Sequence, residues 1–268
     1  MQMFFAILIS AIGTLLFHSY KNTKKVSVNT IRISKPGTAW KKLRILHLSD
    51  LHLEKLSISP EELYRIISNK KVDLIAITGD FLDRKRTIRK LPEYLQVLQK
   101  VKPAYGIYAV FGNHDYMLNG ESFETLKNTL EENGCVTLQN EHVSVPMGNA
   151  MLNIIGIDDF STNRSDLNKS FHRLPKGFNL VLTHDPNVVL HMKKFPYDYL
   201  LSGHFHGGQI HWPKPFHLVK MGKLVRMNMI KGLHVLNGRP FYISEGLGQT
   251  GVNIRLGSRP EITIHEIV

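Results

Sequence analysis

Leu43-Arg44-Ile45-Leu46-His47-Leu48-Ser49-Asp50-Leu51-His52 sets the pattern on which the chain is built. A strand-length apolar run ends in a carboxylate and, two residues later, an imidazole. The arrangement recurs. Leu74 to Thr78 leads into Gly79-Asp80-Phe81-Leu82-Asp83, and Tyr105 to Phe111 into Gly112-Asn113-His114-Asp115. Asn179 to Thr183 leads into His184-Asp185, and Tyr199 to Ser202 into Gly203-His204-Phe205-His206-Gly207-Gly208. In α/β folds, ligand sites form where strands leave the sheet. Asp50, His52, Asp80, Asn113, His184, His204 and His206 are therefore candidate metal ligands. These are too many oxygen and imidazole donors for one ion. They suit two divalent cations sharing a carboxylate, an arrangement that hydrolyses phosphate esters.

Each segment has its own chemistry. Asp80 is the natural bridge, because a carboxylate has two oxygens and can hold both ions. The amide oxygen of Asn113 is a hard, neutral ligand that adds no charge. His114 beside it is free to act as a general acid, with Asp115 expected to orient its ring. The glycines around His204 and His206 permit unusual backbone angles and the close approach of a ligand. A lone histidine is more often structural than ligating. The shared strand-end position of all five segments reverses that expectation.

Between the segments the chain alternates strand and helix. Val26 to Ile33 alternates apolar and polar residues, as a strand does. Ser59-Pro60-Glu61-Glu62 starts a helix expected to run to about Lys70. A second is expected from about Arg89 to Lys100, and a third from Glu121 to Asn133, stopped by Gly134. Strand, motif and helix thus repeat three times, as in a mainly parallel sheet. The second half has shorter strands separated by turn residues, at Val136–Leu138, His142–Val145 and Met151–Ile157, which suggests antiparallel pairing. Residues 1–20 read as an anchor, 21–42 as a basic linker with a first strand, and 43–268 as one domain.

Charge and hydropathy place the chain. The net charge of +12 favours anionic partners. No Asp or Glu precedes Asp50, while Lys21, Lys24, Lys25, Arg32, Lys35, Lys41, Lys42 and Arg44 all do. Met1 to Phe17 is almost wholly apolar and has no Lys or Arg ahead of it, which favours a membrane anchor over a cleaved signal or a buried helix. With the basic residues following, the positive-inside rule puts the domain on the cytoplasmic side of the cell membrane. The single cysteine, Cys135, excludes an intramolecular disulfide.

The order D-x-H, G-D-x-x-D, G-N-H-D, T-H-D and G-H-x-H-G-G-Q resembles the calcineurin-like metallophosphoesterase superfamily, most of all its bacterial membrane-anchored branch related to UDP-2,3-diacylglucosamine pyrophosphatases. The match covers roughly Leu43 to Val268. The resemblance implies a four-layer α/β/β/α sandwich. It implies that Asp50, His52 and His206 hold one ion, that Asn113, His184 and His204 hold the other, and that Asp80 bridges. His114 is then the catalytic histidine and Asp83 supports from behind. It further implies hydrolysis of phosphodiester or pyrophosphate bonds by a metal-bridging hydroxide. Phe205, which is not a ligand position, is expected to affect pocket shape. The mixed N/O donor set suits Mn²⁺, Fe or Zn²⁺, with Mn²⁺ favoured.

His211 to His234 contains no acid and mixes Lys and Arg with bulky apolar residues. Following the last motif directly, it reads as a rim suited to an anionic lipid surface. A lipid-linked or membrane-associated phosphate substrate is the expectation. A nuclease or cyclic-nucleotide phosphodiesterase is the alternative, since +12 also suits nucleic acid. The concentration of charge at the anchor and rim, without a recognised nucleic-acid module, disfavours it. A metal-free scaffold is disfavoured too, because every ligand position is filled.

Overall fold

β2 (Leu43–Leu48) is the central thread of the first sheet, with four of its residues deeply apolar and in contact on both faces. It pairs in parallel with β3 (Leu74–Thr78), which pairs in parallel with β4 (Ile107–Val110), which pairs in parallel with β5 (Cys135–Thr137). On its other side β2 runs antiparallel to β12 (Glu261–Ile267), itself parallel to the edge strand β1 (Ser27–Ile33). The segment ahead of Leu43 is thus hydrogen-bonded into the same sheet as the motifs. The structure, a computed structural model, describes residues 1–34, 42–211 and 221–268. Part of the basic linker, and residues 212–220 of the expected rim, lie outside the described residues.

The second sheet contains β6 (Glu141–Met147), β7 (Ala150–Gly156), β8 (Phe178–Leu182), β9 (Tyr199–Ser202), β10 (Gly232–Leu236) and β11 (Arg239–Ile243) in the order β10-β11-β9-β8-β7-β6. The antiparallel pairing expected of His142–Val145 and Met151–Ile157 is present as the hairpin β6–β7, but it does not extend through the sheet. Among the described residues of this sheet only the hairpins β6–β7 and β10–β11 are antiparallel; β7, β8, β9 and β11 run parallel. The crossovers between them use short helical turns such as Pro186–His191 and α5 (Leu167–Ser170), too brief to leave a helical period in the sequence. β5 was expected with this antiparallel group. It returns instead to the first sheet after the long helix that precedes it.

That helix is α4 (Glu121–Glu132), which with α2 (Pro60–Ile67) and α3 (Leu91–Gln99) covers the outer face of the first sheet. Ser59 Oγ accepts from the Glu62 amide at 3.2 Å and Glu62 returns the contact to the Ser59 amide at 2.8 Å, a capping box. α2 stops at Ile67, short of Lys70, and a 3-10 turn over Lys85–Lys90 precedes α3, which starts where Pro92 can occupy its first turn. Side chains alternate along β2. Leu46 and Leu48 pack with Leu63, Leu95 and Leu126 in the outer core, while Ile45 and Leu43 pack with Leu152, Leu180 and Leu201 between the sheets. A third core of Val181, Leu200 and Phe241 lies under Val188, Met192 and Leu224, the last from α6 (Lys223–Arg226). The four layers are those of an α/β/β/α sandwich.

α1 (Gln2–Asn22) stands apart from these layers. Its 21 residues span about 31 Å, enough to cross a bilayer's hydrocarbon core, and it is long and apolar enough to do so. Ser19 is its buried residue.

A polar seam runs through the inter-sheet core. His47 Nε2 lies 2.8 Å from Thr78 Oγ1, His265 Nδ1 2.8 Å from the Tyr199 hydroxyl, and the Tyr242 hydroxyl donates to Glu261 Oε1 at 2.8 Å. Burial pushes His47 down to about 3, and burial together with His47 holds His265 well below its ordinary value. Both stay neutral in the folded chain while the unfolded imidazoles titrate near 6.5. The unfolded state therefore takes up more protons as pH falls below about 6.5, and stability is lost in that direction. Unfolding of the full-length protein by denaturant between pH 7 and pH 5 is expected to show wild type losing stability more steeply than His47→Gln, by up to about 1.4 kcal/mol per pH unit. Parallel slopes would mean that His47 is not held neutral.

Candidate metal centre

The turns after β2, β3, β4, β8 and β9 converge, and those after β2, β3 and β9 leave their strands through a backbone that ordinary residues avoid. Asp50 (φ 52°), His52 (φ 38°), Asp80 (φ 54°), His204 (φ 74°) and His206 (φ 48°) all lie in the left-handed region. Such residues are uncommon outside glycine, and their clustering marks a functional site. The turns also touch. A Cβ added to Gly112 would overlap Asp80 Oδ1 and come within 2.8 Å of His184 Cδ2, and one added to Gly203 would overlap Ser49 Oγ and Asp50 Oδ2. Glycine at these two places lets the five motifs close on one another, three around Gly112 and two around Gly203.

All seven sequence-predicted ligands meet here. Donor atoms of Asp50, His52 and His206 lie within 4.8 Å of one another, as do those of Asp80, His184 and His204. Asp80 stands between the groups: its Oδ2 is 3.1 Å from His184 Nε2 and 3.5 Å from His52 Nε2. Asp50 Oδ1 is 3.3 Å from His206 Nε2 and 4.0 Å from His184 Nε2, and His204 Nδ1 is 3.1 Å from His184 Nε2. Asn113 and His204 share a cleft of about 670 Å³, walled further along by Phe160, His191 and Met221. Phe205, expected to affect pocket shape, does not line this cleft itself; its ring lies 5.6 Å from that of His204, which does. Phe205 is fully buried in the outer core of the second sheet.

The histidine tautomers follow from their partners. His184 Nδ1 is 2.7 Å from the Thr78 carbonyl, which can only accept, so the proton sits on Nδ1 and Nε2 faces Asp80. His52 Nδ1 lies 2.8 Å from Asp83 Oδ1, again leaving Nε2 toward Asp80. Ligating histidines are held this way by a partner on the other nitrogen.

One further acid is reassigned by the structure. Asp115, expected to orient His114, does not do so. It accepts from the backbone N–H of Asp80 (2.9 Å), Phe81 (2.9 Å) and Gly112 (2.8 Å), and so ties the turn after β3 to the turn after β4. The ring of His114 is held by Asp83, whose Oδ1 is 2.9 Å from His114 Nδ1. The His114 amide donates to Asp80 Oδ1 at 2.9 Å.

The donor set fits divalent cations. Among the described residues, Asn113 Oδ1 is buried without a hydrogen-bond partner, a lone acceptor facing the site. Burial opposes charge on His52 and His184, yet Asp80 and Asp83 hold His52 up at about 10, and Asp80 with Asp50 holds His184 well above its ordinary value. A pocket that drives protons onto buried imidazoles is short of positive charge, and cations there take the protons' place. Asp115→Asn leaves a buried N–H opposed by an amide donor and frees the Asp80 turn. We expect about 2–3 kcal/mol lower stability and at least tenfold weaker metal binding, read by thermal unfolding and by metal titration. Unchanged metal affinity would show that the Asp115 tie does not place Asp80.

Comparison with known proteins agrees with this geometry. The family model for calcineurin-like phosphoesterases matches residues 43–208. A Bacillus subtilis protein described as the uncharacterized metallophosphoesterase YkoQ is 68% identical over 254 residues, covering 94% of each chain. A Chlamydia trachomatis UDP-2,3-diacylglucosamine pyrophosphatase, LpxG, is 27% identical over 274 residues, covering 83% of this chain and 82% of the relative. Among solved structures, TT1561 of Thermus thermophilus is similar in fold, with a TM-score of 0.51 at 13% identity over 77% of this chain and 91% of that one. Strand-end carboxylates and imidazoles, gathered between two sheets and matched by the family model, identify this chain as a member of the calcineurin-like phosphoesterase family, a metal-binding hydrolase of phosphoester bonds.

Proposed function

We propose that the protein is a membrane-anchored phosphoesterase that cleaves phosphodiester or pyrophosphate bonds of a lipid-linked substrate at the cytoplasmic face. One observation carries this reading: a single residue joins the anchor to the centre. The Arg255 amide donates to the Ser19 carbonyl in the last turns of α1 at 2.9 Å, and the Arg255 guanidinium donates to the carbonyl of His206 at 2.9 Å. A centre so close to the end of a membrane helix faces the headgroup layer, where lipid phosphates lie. Lys21, Lys24 and Lys25 follow the apolar run and favour the cytoplasmic side and an anionic surface. The name of LpxG, whose substrate carries two acyl groups, supports the same substrate class.

In this reading Asp50, His52 and His206 hold one cation, Asn113, His184 and His204 hold a second, and Asp80 serves both. The nitrogen and oxygen donors suit Mn²⁺ best, with Fe or Zn²⁺ also accommodated. Bound there, two cations acidify water and neutralise charge on phosphate oxygens. The protein's own part falls to His114. With Asp83 against Nδ1, its Nε2 is the nitrogen left to give a proton to the departing oxygen, and its ring is about one quarter exposed. The wide cleft beside Asn113 receives the rest of the substrate.

His114→Ala is expected to retain both ions and lose about 10²–10⁴-fold in turnover, with the smallest loss for nitrophenyl esters, whose leaving group needs no proton. Equal loss on every substrate would remove the acid role. Full-length protein in lipid vesicles with Mn²⁺ is expected to hydrolyse a nucleotide-sugar lipid pyrophosphate or a lipid phosphodiester at least about tenfold faster than free nucleotides or single-stranded DNA. Faster cleavage of the nucleotides, with membranes present, would overturn the lipid substrate in favour of a nuclease or cyclic-nucleotide phosphodiesterase.

A further inference from the structure

We propose that Arg255 is a positioning residue for the Asp50–His206 half of the centre, and that the end of the membrane helix holds Arg255 in place. On this view the anchor is part of the catalytic frame as well as a tether.

Arg255 is fully buried, yet among the described residues it forms no ion pair. A buried guanidinium without a carboxylate is expensive unless its donors are used. Carbonyls use four of the five: those of His206 (2.9 Å) and Glu245 (2.8 Å) on one terminal nitrogen, and those of Gly246 (3.1 Å) and Gly248 (2.6 Å) on the other, while Nε–H is buried without a partner among the described residues. Burial lowers the guanidinium to about 10, which leaves it charged at neutral pH.

The carbonyls belong to two segments that flank the candidate ligands. One is the turn that carries His206. The other is the loop from Glu245 to Gly248, which is itself bonded to the Asp50 turn: the Leu247 amide donates to the Ser49 carbonyl at 2.8 Å and the Gly248 amide to the Asp50 carbonyl at 2.7 Å. A Cβ on Gly246 would come within 2.8 Å of Asp50 Cβ and 3.2 Å of His206 Nδ1, so this loop lies directly against both side chains. One cation thus fastens together the turns of Asp50 and His206, each of which carries a left-handed residue that must be held. The other half is built differently. There Thr78 holds His184, while Asp115 and the His114 amide hold Asp80. Arg255 makes none of those contacts.

The peptide of Arg255 is gripped by α1. Its amide donates to the Ser19 carbonyl, one of the last four of the helix, at 2.9 Å, and its carbonyl accepts from Asn22 Nδ2 at 3.2 Å. Thr23 Oγ1, just beyond, bonds Ser57 Oγ at 2.7 Å. The helix end is therefore docked on the domain, at the residue that braces His206.

The proposal rests on the two-cation reading, and the same titration tests both separately. Full-length protein in lipid nanodiscs is stripped with chelator and titrated with Mn²⁺, following stoichiometry by calorimetry and the coupling between ions by electron paramagnetic resonance. Wild type is expected to bind two ions with a coupled signal; wild type that binds none removes the centre itself. Arg255→Met is expected to keep one ion within about threefold of wild-type affinity, to weaken the other at least about thirtyfold, and to show an isolated Mn²⁺ signal, with Arg255→Lys recovering part of the loss. Asn22→Ala combined with Thr23→Ala, which loosens only the helix end, is expected to weaken that same ion about three- to tenfold. Folded Arg255→Met with both ions unchanged, or both weakened alike, overturns the positioning role. Should Arg255→Met fail to fold, the Asn22/Thr23 variant decides: selective weakening of one ion upholds the proposal and unchanged affinities overturn it.

Discussion

The centre depends on keeping the Asp80 carboxylate charged where there is almost no water. Asp80 is 1% exposed. Burial alone would drive it neutral, but His184 and His52 outweigh burial and hold it well below the usual carboxylate range. A buried charge must be matched by charge and hydrogen bonds, or it is not kept. Much of the surrounding design meets that demand. Thr78 and Asp83 turn the two imidazoles so that each presents Nε2 to Asp80, and the His114 amide takes its other oxygen. The same concentration of negative charge makes the pocket receptive to divalent cations.

Holding such turns in place has a conformational cost. Five of the candidate ligands have left-handed backbones, each worth of order 1–3 kcal/mol. They persist because the parts behind them cannot give way. Three apolar cores fix the strands from both faces, and interiors packed to that density transmit strain without yielding to it. A buried carboxyl and a buried guanidinium then fasten the turns from behind, one as acceptor and the other as donor. Asp115 gathers three amides on one side of the centre, and Arg255 gathers four carbonyls on the other.

The candidate ligands were legible because each announces itself twice, by residue type and by its place just after an apolar run. The start of α2 was legible for a similar reason: Ser59, Pro60 and the two acids after it act over a few residues, whereas α3 starts at Leu91, two residues beyond the expected Arg89. Other features left no local trace. The parallel order of β7, β8 and β9 depends on crossovers whose helical turns are too brief to show a helical period. The Asp115 carboxylate stands next to His114 in the chain but points to amides elsewhere, so adjacency suggested the wrong partner. Arg255 carries no motif, and 49 residues separate it from the His206 carbonyl it holds.

What the amino-acid order determined by itself is the chemistry on offer: which donors exist, that they stand at strand ends, and that an apolar helix with lysines behind it leads the chain. Those properties belong to single residues and their immediate neighbours. Which acid orients which histidine, which cation solvates which carbonyls, and how near the apolar N-terminal helix comes to the centre were decided only by the folded molecule. Hydrogen bonds reach about 3 Å, and residues far apart in the chain come within that reach only after the two sheets have packed.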